Sequence, residues 1–155
     1  MTLSRNQLST IGPFIEGLIS SNKYTSLEVV DLFDLIVQIE KFISKETSEF
    51  EKLHNKKIEA IKKKIEEEFK DVDYSHKDAL VNMKLKYDEG YKKALEQRRE
   101  FYSENVKGKI PTKKIKGLKK HEGDTEIQLQ NGTTVYVPLS EIYEFLVDHK
   151  IIDVK

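Results

Sequence analysis

The sequence predicts a mainly α protein with a small α+β module at its C-terminal end: a long antiparallel helical hairpin of coiled-coil type, then a β-hairpin and a last helix. Three observations predict it. Apolar residues recur at Leu32, Ile36, Ile39, Ile43, Phe50, His54, Ile58, Ile61, Ile65 and Phe69, mostly three or four residues apart, with one gap at Glu46-Thr47. A second series runs through Leu80, Met83, Tyr87, Tyr91, Ala94, Arg98 and Tyr102. Each is one stripe of a helix, and a single stripe needs a partner to be buried; the break at Asp71-Val-Asp-Tyr-Ser75 lets the second arm fold back on the first. Third, residues 125–137 alternate apolar and polar around Asn131-Gly132, a turn signal between two strands.

Composition agrees with an elongated helical chain. Of 155 residues, 37% are hydrophobic and 35% charged, poorer in apolar and richer in charged residues than ordinary globular domains. The periodic apolar residues, with seven Phe and seven Tyr, separate it from disordered chains. Cysteine is absent, which excludes disulfides, thiolate nucleophiles and Cys-ligated zinc. No apolar run reaches the roughly 18 residues of a membrane span, and the first residues lack the apolar core of a signal peptide. A cytoplasmic setting without a membrane partner is expected. The formal net charge is zero but unevenly spread. Residues 1–50 carry four basic and seven acidic side chains, residues 107–120 seven lysines and no acid, residues 121–155 two lysines and seven acids.

Three divisions follow: a helical segment with the hairpin arm at 1–106, a lysine-rich linker at 107–120, and a β-hairpin-plus-helix module at 121–155. Ser4 and Gln7 form a capping box, and Leu8, Ile11, Phe14, Ile15, Leu18 and Ile19 follow at helical spacing. Gly12-Pro13 interrupts them, which predicts a short helix, a kink and a second short helix ending near Ser20-Ser21-Asn22. Thr25 and Glu28 form a second capping box before the long arm.

Between residues 29 and 43, ten of fifteen side chains are apolar, on more than one face of the helix. Two neighbours cannot cover that circumference. Val30, Phe33, Val37 and Phe42 are therefore the candidate protein interface, and a two-fold homodimer is the expected use of it. Beyond Ser44 the stripe narrows, and Glu59/Lys63 and Lys62/Glu66 add i,i+4 support.

Ser75 is the expected N-cap of the second arm, and Gly90 within it marks a close helix contact. In the C-terminal part, Ile115 and Leu118 are strand candidates. Two hairpin registers compete. The favoured one, with loop Gln130-Asn131-Gly132, pairs Leu129 with Thr133 and Ile127 with Val135, and sets Ile127, Leu129, Val135 and Val137 on one face. Ser140 is expected to cap a helix over 141–150 with Ile142, Phe145, Leu146 and His149 on one side. Ile152 and Val154 suggest a short last strand.

Chemistry was sought in the same residues. No P-loop, dinucleotide turn, His-Glu-x-x-His or EF-hand loop is present. His54, His76, His121 and His149 are scattered without ligand spacing, and Asp71 and Asp73, a pair that could hold Mg²⁺, read more simply as turn residues. No catalytic, metal or cofactor-binding residue is assigned. Lys113, Lys114, Lys116, Lys119 and Lys120 are the candidate polyanion contact; no arginine reads base edges there and no aromatic interleaves for stacking.

The long Lys/Glu-rich helical arm at 27–69 and the β-hairpin at 126–137, about half of the chain, resemble those of small accessory proteins of phages that infect low-GC bacteria. The resemblance implies an accessory or host-directed binding protein and assigns no site residue. The leading expectation is a non-enzymatic protein–protein interaction module, a phage-encoded inhibitor or adaptor acting on a host protein. The alternative is a nucleic-acid-associated protein using residues 107–120.

Overall fold

Both capping boxes form. In the computed structural model, which describes residues 2–129 and 131–155, helix α1 (Arg5–Ser20) starts after Ser4. The Gln7 N–H donates to Ser4 Oγ at 3.1 Å, and the Ser4 N–H donates to Gln7 Oε1 at 2.9 Å. Helix α2 (Ser26–Glu68) starts the same way: the Glu28 N–H donates to Thr25 Oγ1 and the Thr25 N–H to Glu28 Oε1.

The kink expected at Gly12-Pro13 is absent; α1 is one helix with Pro13 inside. Proline removes one intrahelical donor. Leu8, Ile11, Ile15 and Leu18 are fully buried on both sides of it, and the packing of that continuous face holds the helix through the proline.

The stripe on α2 is buried as its spacing predicts. Leu32, Ile36, Ile39, His54 and Ile65 are buried, and Ile43, Phe50, Ile58, Ile61 and Phe69 are half-buried. The gap at Glu46-Thr47 is where the chain divides into two compact units: the chain up to Glu46 with Asn105–Lys155, and Thr47–Glu104. The expected divisions at 106/107 and 120/121 are not where the units part. Ile115 and Leu118 are each only 3% exposed, in one core with Leu8, Leu32, Ile127 and Ile142, so residues 107–120 are built into the first unit and are not a solvated linker.

In the first unit the remaining elements are β1 (Lys113–Lys114), β2 (Asp124–Gln128), β3 (Thr134–Pro138), α5 (Leu139–Asp148) and β4 (Ile152–Asp153). β1 pairs in parallel with β4, Lys113 opposite Ile152. β2 and β3 form the hairpin in the favoured register: Ile127 lies opposite Val135 and Thr125 opposite Val137, and the Leu129 N–H donates to the Thr133 carbonyl at 2.8 Å. Gly132 has φ +83°, the left-handed conformation the turn requires; Gln130, the first loop residue, lies outside the described residues. α1 lies on β2 with closest approach at Gly17. A Cβ there would stand 2.9 Å from Thr125 Cγ2, and Thr125 Oγ1 donates to the Gly17 carbonyl at 2.9 Å. α5 begins at Leu139, before the expected cap Ser140, because Pro138 holds the extended N-cap position and the Leu139 N–H donates to the Gly123 carbonyl.

The second unit is an antiparallel helical hairpin. The outer part of α2 packs on α3 (Tyr74–Tyr87) and α4 (Glu89–Ser103). Phe50 stacks on Phe101 with centroids 4.0 Å apart, Glu51 accepts from Arg98 Nε at 3.0 Å and from the Tyr102 hydroxyl at 2.6 Å, and Ile65 clusters with Val81 and Leu85. Two expectations change. Asp73, not Ser75, occupies the N-cap of α3. The second arm is two helices, since Asp88 is extended and its carboxylate accepts the Tyr91 N–H at 2.9 Å, starting α4 anew. The new start shifts the helical phase: Val81, Leu85 and Ala94 are buried, whereas Met83 and Tyr87, expected in the stripe, are 60% and 67% exposed. Gly90 is likewise no tight helix contact. A Cβ there would stand 3.1 Å from Asp88 Oδ1, a side chain of its own helix cap, and at ordinary van der Waals distance from Ile61. No helix among the described residues is long and apolar enough to cross a membrane.

Candidate functional site

One turn of α2 cannot bury every apolar side chain it carries. Leu32, Leu35, Ile36 and Ile39 point into the first unit's core. The residues between them turn outward: Leu27 is 80% exposed, Val30 56%, Phe33 53% and Val37 48%. At 3.6 residues per turn, Val30, Phe33 and Val37 fall within about 60° of the helix circumference, with Leu27 at the N-terminal edge, and the row is about 15 Å long. Three of the four sequence-assigned interface residues thus share one exposed stripe.

Phe42 does not belong to it. Its ring lies against Gly108, where a Cβ would stand 3.0 Å from Phe42 Cε2, and it is half-buried against the core. The sequence placed Phe42 outside because residues 107–120 read as a linker; their return to the core covers it. Leu27 was missed. Its signal was its spacing, one turn before Val30 and inside the Thr25/Glu28 capping box.

The edge of the stripe is acidic, and a lysine of the candidate polyanion set answers it. Lys113 Nζ lies 3.8 Å from Asp31 and 3.6 Å from Asp34. Lys120 pairs with Glu144, whose hydrogen bond and charge raise the lysine pKa. Lys114, Lys116 and Lys119 are exposed and form no ion pair among the described residues. The loop carrying them is tied at its carbonyls: the Tyr143 hydroxyl donates to Leu118 O at 3.0 Å and the Tyr24 hydroxyl to Lys119 O at 3.2 Å. Burial, helped by the Glu28 charge, pushes the Tyr24 hydroxyl up to about 12. Five lysines in sequence are therefore two ion-paired and three solvated side chains on a pinned loop.

The titratable residues elsewhere have local contacts. His54 is buried against Phe50, His121 meets Tyr24 edge-on, His149 Nδ1 is 2.9 Å from the Phe145 carbonyl, and His76 Nδ1 is 2.9 Å from Ser75 Oγ. Asp73 caps α3 by position, and no group of three or more metal-ligating side chains converges among the described residues. In the second unit, burial and then the hydrogen bond to Glu51 raise the Tyr102 pKa, which keeps that phenol a donor across the hairpin.

No protein-family model, curated protein or solved structure matches the chain.

Proposed function

We propose that this chain is a non-enzymatic protein–protein interaction module whose contact face is the stripe Leu27, Val30, Phe33 and Val37. The observation that carries the reading is that stripe: four large apolar side chains, each about half or more exposed, in one row on a helix whose opposite side is fully buried. Scattered exposed apolar residues need no explanation, but a contiguous row on a rigid element is what a partner helix or sheet covers. Lys113 supports it, because compensation of Asp31 and Asp34 removes net charge from the rim of the stripe. With the phage-type resemblance, the role proposed is that of an inhibitor or adaptor acting in the cytoplasm on a host protein.

The test is retention of a partner by the immobilised chain, compared across two variants. Phe33→Glu places a charge in the stripe and is expected to abolish retention, because a carboxylate buried without a partner is strongly disfavoured. Tyr136→Glu, at a residue 72% exposed on β3, is expected to leave it intact. Equal retention by both variants overturns the reading.

A second reading, nucleic-acid association, draws on the pinned loop that presents Lys114, Lys116 and Lys119. Three phosphates neutralised on duplex DNA give a slope of log affinity against log salt of about −2.7. Changing Lys114, Lys116 and Lys119 to Gln is expected to flatten that slope, and changing Lys113 and Lys120 to leave it. Absence of binding at low salt removes this reading.

A further inference from the structure

We infer that the stripe is covered by a second copy of the same helix, running antiparallel about a two-fold axis. This deepens the proposed function and rests on its reading of Leu27, Val30, Phe33 and Val37 as a contact face. The first argument is spacing. The row steps by three, three and four residues, and read in reverse it steps by four, three and three. Two such rows laid antiparallel mesh without remainder: Leu27 of each copy meets Val37 of the other, and Val30 meets Phe33. No other exposed apolar residue in this part of α2 is left over, and no charged side chain is forced into the middle. Self-complementarity of this kind is the requirement of a two-fold interface, in which one patch serves both partners.

The second argument is charge. Lys23 stands one turn before Leu27 and Glu40 one turn beyond Val37, and both are exposed. Antiparallel pairing brings the Lys23 of one copy beside the Glu40 of the other at each end. A parallel pairing sets Lys23 beside Lys23 and Glu40 beside Glu40, which repel. Asp34, on the rim near the axis, carries its counter-charge in Lys113 of its own chain at 3.6 Å. The charges thus select the same direction that the apolar spacing selects. Four side chains per copy make a small interface, so the dimer is expected to form reversibly and to depend on concentration.

The chain contains no cysteine, so introduced cysteines report the pairing without background. Leu27→Cys and Val37→Cys are prepared separately; both sites are exposed, and retained helix content checks the fold of each. A disulfide needs Cα atoms within about 7 Å. In the antiparallel dimer, residue 27 of one copy adjoins residue 37 of the other, while like residues are about 15 Å apart along the axis. The expected result under mild oxidation is a covalent dimer from the mixture and little from either variant alone. Light scattering of the unmodified chain should give twice 18.1 kDa at high micromolar concentration, and 18.1 kDa for Phe33→Glu. Cross-linking of each variant alone, with none added by mixing, overturns the antiparallel register. A mass of one chain at all concentrations overturns the second copy. That outcome is distinct from failure of the contact face, which the retention of a foreign partner by the immobilised chain reads separately.

Discussion

At the scale of single residues, the conformations the chain must adopt decide what can be substituted. Gly132 holds φ +83° with no atom within 4 Å of where a Cβ would stand, so Gly132→Val meets backbone strain alone. A β-branched residue in the left-handed region is disfavoured by about 1–3 kcal/mol. The variant is expected to unfold at a lower denaturant concentration than the parent by that amount; an unchanged midpoint contradicts the turn. Tyr24 gives a pH signature. Its folded pKa of about 12 lies above the ordinary 10.0, so the folded chain holds this proton more tightly than the unfolded one. The stabilisation is complete below pH 10 and is lost as pH rises toward 12. Stability of the parent should fall across that window more steeply than that of Tyr24→Phe; parallel curves contradict the assignment. The two glycines show what a sequence discloses at this scale. Asn131-Gly132 was legible because the turn type itself demands those residues. Gly17 was not, because its reason, the approach of Thr125 to 2.9 Å, lies on a strand distant in sequence.

At the scale of elements, periodicity was a good guide where one helix runs through and a poor one where a cap resets it. The α2 stripe was legible over its whole length, gap included, because 43 residues keep one phase. The second arm was misread after Tyr87, because Asp88 is polar in a charge-rich segment and its capping role has no periodic trace. Once Asp88 starts α4, Met83 and Tyr87 face outward and Val81 and Leu85 take the buried positions. Asp88→Ala removes the acceptor for the Tyr91 N–H, and loss of a cap costs about 0.5–2 kcal/mol. The second unit should lose stability by that amount in thermal melts followed by circular dichroism, with Asp88→Asn nearly restoring it. If both variants melt like the parent, the cap does not hold α4.

At the scale of the whole molecule, the ends of the chain come together and the middle forms its own hairpin. The Val106 N–H donates to the Leu3 carbonyl at 2.8 Å, Ser4 bridges Asn105, and Arg5 pairs with Glu46 at 3.3 Å while Glu46 also accepts the Lys107 N–H at 2.8 Å. The sequence did not disclose this return. The seven lysines of 107–120 dominate that segment's composition, whereas its core residues Val106, Ile110, Ile115 and Leu118 follow no single period. The same misreading kept Phe42 in the interface set and gave Lys113 to a polyanion instead of to Asp31 and Asp34. What survives is the part of the site carried by one continuous helix: Val30, Phe33 and Val37 were legible because a fifteen-residue apolar run has more circumference than its neighbours can cover.

The most direct measurement of the central claim, that this stripe is a protein contact face, is site-specific photo-cross-linking. A photoreactive phenylalanine analogue at position 33 replaces one aromatic ring by another in the middle of the stripe. The same analogue at Tyr136 serves as the control at an equally accessible aromatic position. Irradiation is expected to give a discrete protein adduct from position 33, lost when Val30 and Val37 are both changed to Glu, and none from position 136. Adducts of equal yield from both positions, or none from position 33, contradict the account.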